Sequence, residues 1–125
     1  MKTKILIVDD SKLARMSVAK LLNSLRPGWT RCEAANADEA LELIGREKPD
    51  LALLDFNMPG RSGLELAVTL RESHPQMPVA IISANIQSEV VDRAGQTGAT
   101  FLPKPLTEPV LAGFLDAADQ WLASR

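Results

Sequence analysis

The sequence predicts an α/β fold, a doubly wound parallel sheet of five strands alternating with five helices. Three observations predict it. Apolar runs of strand length stand at residues 5–8, 51–54 and 79–82, as expected of strands covered on both faces. Helical patterns, most of them opened by a capping residue, separate the runs, and such alternation implies right-handed crossovers into a parallel sheet. Charged residues stand where runs stop: Asp9 and Asp10 after the first, Asp55 after the second of these, and Lys104 after a weaker run near the end.

Taken in order, the strand Ile5-Leu6-Ile7-Val8 gives way to Ser11, a helix-capping residue, and to an apolar stripe of Ala14, Val18, Leu21, Leu22 and Leu25 closed by Pro27-Gly28. A weaker strand pattern covers 30–34. Asn36, with Glu39 three residues on, opens a helix over 37–46. After the strand at 51–54, Ser62 and Glu65 repeat that capping pattern for 63–73. The strand at 79–82 precedes a shorter helix with Ile86, Val90, Val91 and Ala94 on its stripe, ended by Gly95 or Gly98. A weak strand at 100–102 leads to Thr107. That residue caps a last helix whose first turn tolerates Pro109 and whose apolar face is Val110, Leu111, Phe114, Leu115, Ala118, Trp121 and Leu122.

A chain of 125 residues supports one core but not two, so 1–125 reads as a single domain. Its 46% apolar and 24% charged residues are an ordinary soluble balance. No stretch approaches a membrane span, and the opening residues lack a signal-peptide pattern. Cys32, the one cysteine, excludes an intrachain disulfide. A net charge of −2 argues against direct nucleic-acid binding. The cytosol is the expected location.

In an open parallel sheet, ligands bind outside the carboxyl ends of the strands. Asp9, Asp10, Asp55 and Lys104 therefore converge on one cleft. Two like charges about 4 Å apart repel by roughly 4 kcal/mol at an effective dielectric near 20. Three carboxylates against one ammonium call for a divalent cation, and hard oxygen ligands with room for water favour Mg²⁺.

Asp9-Asp10, Ser83-Ala84, Lys104-Pro105 and the stretch Asp55-Phe56-Asn57-Met58-Pro59-Gly60, each at a strand end, resemble the receiver domain of two-component response regulators. The resemblance runs from Lys4 to about Leu122. It implies the strand order 2-1-3-4-5 of flavodoxin-like, CheY-like folds. It assigns Asp55 as phosphoacceptor, and a carboxylate is a competent nucleophile toward phosphorus. Asp9, Asp10, Asp55 and the backbone carbonyl of Asn57 would hold Mg²⁺. Lys104, the Ser83 hydroxyl and the Ala84 N–H would meet phosphoryl oxygens. The donor would be a phosphohistidine on a sensor histidine kinase or histidine phosphotransfer protein, or a small acyl phosphate. Ser83 and Phe101 would form the switch, with phenylalanine where many members carry tyrosine. The result is a phosphorylation-switched signalling domain that catalyses only its own phosphorylation and dephosphorylation and regulates a partner or an attached output domain.

Other readings stand beside these. Asp9-Asp10 alone equally suits a helix start, where negative charge is favourable. Phe101 alone equally suits plain core. His74 reads as a solvated loop residue, Cys32 as a small apolar filler, and Leu13 and Met16 as exposed residues off the first helix's stripe. A haloacid-dehalogenase-like phosphatase would need a second acid two residues after Asp55, where this chain has Asn57. A phosphate sink or relay without its own output, and an interaction module that has lost its chemistry, are further alternatives. The last helix carries Glu108, Asp116 and Asp119 but no base before Arg125, unlike receivers that dimerise through basic residues there.

Overall fold

The computed structural model describes residues 2–124. Its elements run β1 (Lys4–Val8), α1 (Lys12–Leu25), β2 (Thr30–Ala34), α2 (Ala37–Glu47), β3 (Leu51–Asp55), α3 (Gly63–Ser73), β4 (Val79–Ser83), α4 (Ser88–Gln96), β5 (Thr100–Pro103) and α5 (Glu108–Ser124). The strands form one parallel sheet in the order β2-β1-β3-β4-β5, as the sequence implies. Four of the five strands end or begin one residue beyond the apolar pattern, and this makes Asp55 and Ser83 the last residues of β3 and β4.

Alternation along the strands divides the core in two. Ile5, Ile7, Leu51, Leu53, Ala80, Ile82 and Leu102 face α1 and α5, where Val18, Leu22, Leu111, Phe114, Leu115 and Ala118 cover them. Leu6, Val8, Ala52, Leu54, Val79 and Ile81 face the layer of α2, α3 and α4. Nearly every residue of β1, β3 and β4 is buried. Full burial of one such aliphatic side chain is worth about 1.5–3 kcal/mol, so these three strands are the rigid part of the molecule.

Local signals explain the helix starts. Ser11 Oγ accepts from the Ala14 N–H at 3.2 Å. Asn36 Oδ1 accepts from the Glu39 N–H at 2.9 Å, while Glu39 reaches back to the Ala35 N–H at 3.0 Å. Ser62 and Glu65 form a complete reciprocal capping box. At α5, the Thr107 carbonyl accepts from the Leu111 N–H at 3.0 Å.

The fourth helix departs from expectation. Ile86 lies before it and is 68% exposed, because Ser83 Oγ accepts from the Asn85 N–H and Asn85 Oδ1 accepts from the Gln87 N–H, both at 3.0 Å. Two successive side-chain turns of this kind hold the backbone off the helical path. Helix α4 then starts without a side-chain cap and buries only Ala94.

The acids of α5 also find an explanation. Arg26, just after α1, reaches Asp116 at 2.6 Å and Asp119 at 2.9 Å and lies over the Trp29 ring, 5.7 Å from its centroid. Ser24 donates to Glu108 at 3.2 Å. The negative charges of α5 are thus taken up within the chain, tying α1 to α5.

At the far end of α4, Arg71 from α3 donates to the carbonyls of Thr97 at 3.1 Å and Gly98 at 3.3 Å, and to that of Pro75. Gly98 has φ +81°, and a Cβ there would stand 3.1 Å from Arg71 Nε. Gly98→Ala is therefore expected to cost about 1–2 kcal/mol from the left-handed backbone alone, with more from displacing Arg71. Urea unfolding should show the lowered midpoint, and an unchanged midpoint would mean that the turn relaxes freely.

Candidate functional site

Strand register brings the charged strand ends level. Val8 pairs with Leu54, Asp55 with Ile82, and Ser83 with Pro103, so Asp9 follows beside Asp55 and Lys104 follows beside Ser83. The Asp9, Asp10 and Asp55 carboxylates each place an oxygen within 4.8 Å of the others. Asp9 and Asp55 are 7% and 6% exposed, whereas Asp10 is exposed. Lys104 Nζ lies 2.9 Å from Asp55 Oδ1 and 3.9 Å from Asp9 Oδ2.

Backbone contacts fix the two buried acids. The Asp9 N–H donates to Ala34 O at 3.1 Å, and Asp9 Oδ1 accepts from the Ser11 N–H at 2.9 Å. Ser11, not either aspartate, supplies the side-chain cap of α1. Beyond Asp55, the Phe56 N–H donates to Ile82 O at 2.9 Å and its carbonyl accepts from Gly63 at 3.0 Å. A Cβ on Gly63 would stand 2.1 Å from the Asp55 carbonyl oxygen, so only glycine lets α3 start this close to the end of β3.

The electrostatics follow from this crowding. Burial pushes the Asp9 carboxyl above its ordinary value, the charges of Asp55 and Asp10 add to that, and the Ser11 N–H and Lys104 oppose it. One lysine does not offset three acids in a partly dehydrated site. The oxygen-only donor set, with one exposed member, fits a hard divalent cation.

The remaining predicted residues surround this cluster. Asn57 lines a cleft of about 340 Å³ with Asp10, Phe56, Met58, Pro59 and Ser62. Ser83 is buried, its carbonyl accepts from the Lys104 N–H at 2.9 Å, and its hydroxyl is held by the Asn85 N–H. Ala84 is exposed beside it. Phe101 pairs in register with Ile81 and packs, half-buried, against the α2–α4 layer. His74 is exposed and meets Ser73 Oγ. Leu13 and Met16 are exposed as expected. Sequence reasoning passed over Gly63 and Arg15; their signals were a poor helix former at a helix start and a cation in a first helical turn, where the dipole disfavours it.

Residues 5–116 match the family model described as the response regulator receiver domain. The chain is 42% identical over 97 residues to the glycerol metabolism activator of Pseudomonas putida, covering 77% of this chain and 44% of that protein. It is 33% identical over 106 residues to sporulation initiation phosphotransferase F of Bacillus subtilis, covering 84% of each. A CheY-like receiver domain protein from Methanospirillum hungatei superposes over the full length of both chains with a TM-score of 0.88 at 26% identity. The chain belongs to the response regulator receiver domain family of two-component signalling. It spans about half the length of several curated relatives. Among the described residues no helix is long and apolar enough to cross a membrane.

A raised folded pKa makes protonation of Asp9 favour the fold. Its contribution to metal-free stability is present below the ordinary 3.8 and is lost as pH rises through the higher folded value. Asp9→Asn keeps an oxygen for the Ser11 N–H but removes the charge. It is expected to stabilise the metal-free protein at neutral pH, because it removes a carboxylate charge that burial and the neighbouring acids disfavour. Calorimetric scans in chelator across the acidic range should also show a flatter pH dependence. An identical pH dependence in wild type and variant would place the repulsion elsewhere.

Proposed function

We propose that this receiver is switched by transfer of a phosphoryl group to Asp55 from a phosphohistidine on a sensor histidine kinase or histidine phosphotransfer protein. The observation that carries the reading is the buried Asp55 carboxylate at the end of β3, 2.9 Å from Lys104 Nζ and within 4.8 Å of the Asp9 and Asp10 carboxylates. Burial among fixed partners orients this carboxylate without a separate base, because the ionised acid is already the nucleophile.

In the transfer an Asp55 oxygen attacks phosphorus in line. The phosphorus–nitrogen bond to the donor imidazole breaks, and the imidazole nitrogen keeps the electron pair. Asp9, Asp10, Asp55 and the Asn57 carbonyl would hold Mg²⁺, which would supply positive charge to the phosphoryl oxygens. Lys104 exchanges its contact with the Asp55 carboxylate for one with a phosphoryl oxygen. The Ser83 hydroxyl and the Ala84 N–H serve the other oxygens; the hydroxyl donates there, and turning toward the phosphoryl group shifts the oxygen that accepts from the Asn85 N–H.

Shifting that contact alters the 83–87 turn, on which the start of α4 depends. Phe101, beneath α4 in the same layer, repacks with it, and the population shifts toward a second arrangement of α4 and β5. That surface is read by a partner or an attached output domain. A relay role, passing the group onward, draws support from the match over 84% of a relative named as a phosphotransferase.

Incubation with acetyl phosphate and Mg²⁺ is expected to add one phosphoryl group by intact mass, and both chelator and Asp55→Asn are expected to abolish it. Unchanged stoichiometry in Asp55→Asn would remove Asp55 from the role. With beryllofluoride and Mg²⁺, amide NMR shifts should extend from the metal-binding loops to residues 83–98 and 99–106, and Phe101→Ala should shrink the distal ones. Shifts confined to the loops around Asp9 and Asp55 would favour a relay without conformational output.

A further inference from the structure

Arg15 lies in the first turn of α1, where a cation opposes the helix dipole and where no acidic residue accompanies it. Its side chain is 16% exposed, so it has also given up most of its hydration. Two contacts offset both costs. Nη1 donates to the main-chain oxygen of Asp9 at 2.6 Å, and Nε donates to Oε1 of Glu33 on β2 at 3.0 Å.

With Arg15 included, Asp9 is held at three points. Its N–H is bonded to Ala34, its carbonyl to Arg15, and its Oδ1 to the Ser11 N–H. The other carboxylate oxygen, Oδ2, is the one 3.9 Å from Lys104 Nζ. The Asp9 carbonyl also belongs to the planar peptide unit that joins Asp9 to Asp10. A guanidinium on that oxygen therefore sets the direction in which Asp10 leaves β1 as well.

We propose that Arg15, oriented by Glu33, is a positioning residue that presents the Asp9-Asp10 pair to the divalent cation. The inference rests on the reading of these carboxylates as metal ligands. Ligands oriented by outer hydrogen bonds bind a cation without first being ordered, and loss of such partners weakens binding by about 10–100-fold in known metal sites. Glu33 restrains Arg15 from the neighbouring strand and neutralises its charge, so the arginine contributes orientation rather than net repulsion of the cation.

Calorimetric titration of Mg²⁺ into wild type and variants tests this, with thermal unfolding in chelator run on the same samples. Arg15→Met is expected to raise the Mg²⁺ Kd about tenfold. Arg15→Lys, which retains one donor for the Asp9 carbonyl, should stay within about threefold of wild type. Glu33→Gln should fall between wild type and Arg15→Met, and adding it to Arg15→Met should weaken binding no further, as for residues acting in one chain of contacts. Saturable binding by wild type with an unchanged Kd in Arg15→Met overturns the inference alone. Additive losses in the double variant overturn the part given to Glu33. Should Arg15→Met fail to fold, an unchanged Kd in Glu33→Gln overturns it. Absence of saturable binding by wild type overturns the metal reading and this inference with it.

Discussion

Two buried carboxylates, Asp9 and Asp55, share the end of the sheet with one ammonium group, and much of the structure is a response to that arrangement. Like charges in a partly dehydrated site repel and would swing into water if their backbones allowed it. They do not swing, because strands β1 and β3 beneath them are almost wholly buried on both faces. The apolar core thus supplies the rigidity that keeps the acids together, and the residual repulsion makes the site receptive to positive charge.

Main-chain hydrogen bonds complete the hold. Asp9 is bonded on its N–H, its carbonyl and one carboxylate oxygen. The backbone after Asp55 is fixed by Ile82 on one side and by Gly63 at the start of α3 on the other. Among the described residues no buried side-chain polar atom lacks a hydrogen-bond partner, so the strain of the site is electrostatic and does not include orphaned donors or acceptors. Such strain can be relieved by a bound cation without rebuilding the fold.

The two faces of the sheet differ in how firmly they are tied. Arg26 joins the end of α1 to Asp116 and Asp119 of α5 across one face. On the other face Arg71 fastens the end of α4 to α3, yet the start of α4 has no side-chain cap and follows four exposed residues from Ala84 to Gln87. A helix fixed at its last turn and loose at its first is suited to pivot. The loose end lies next to Ser83, the proposed switch residue, and the fixed end lies next to β5, which carries Phe101.

The strands, their alternation with helices and the starts of α1, α2 and α3 were legible in the sequence, because burial on both faces demands unbroken apolar runs and Ser11, Asn36 and Ser62 cap their helices through contacts only three residues long. The candidate site was legible for a related reason: a parallel sheet delivers every strand end to one edge, so charges at the ends of apolar runs must meet. The start of α4 was misread because Ile86 continues the apolar stripe, while the competing turns through Ser83 and Asn85 carry no periodic signal. Tertiary structure alone decided the pairing of Arg26 with the acids of α5, the grip of Arg71 on Gly98, the seat of Gly63 against Asp55 and the reach of Arg15 to Asp9. Each joins residues brought together by the packing of separate elements or by side-chain direction, and neither distance nor direction between packed elements is written in local spacing.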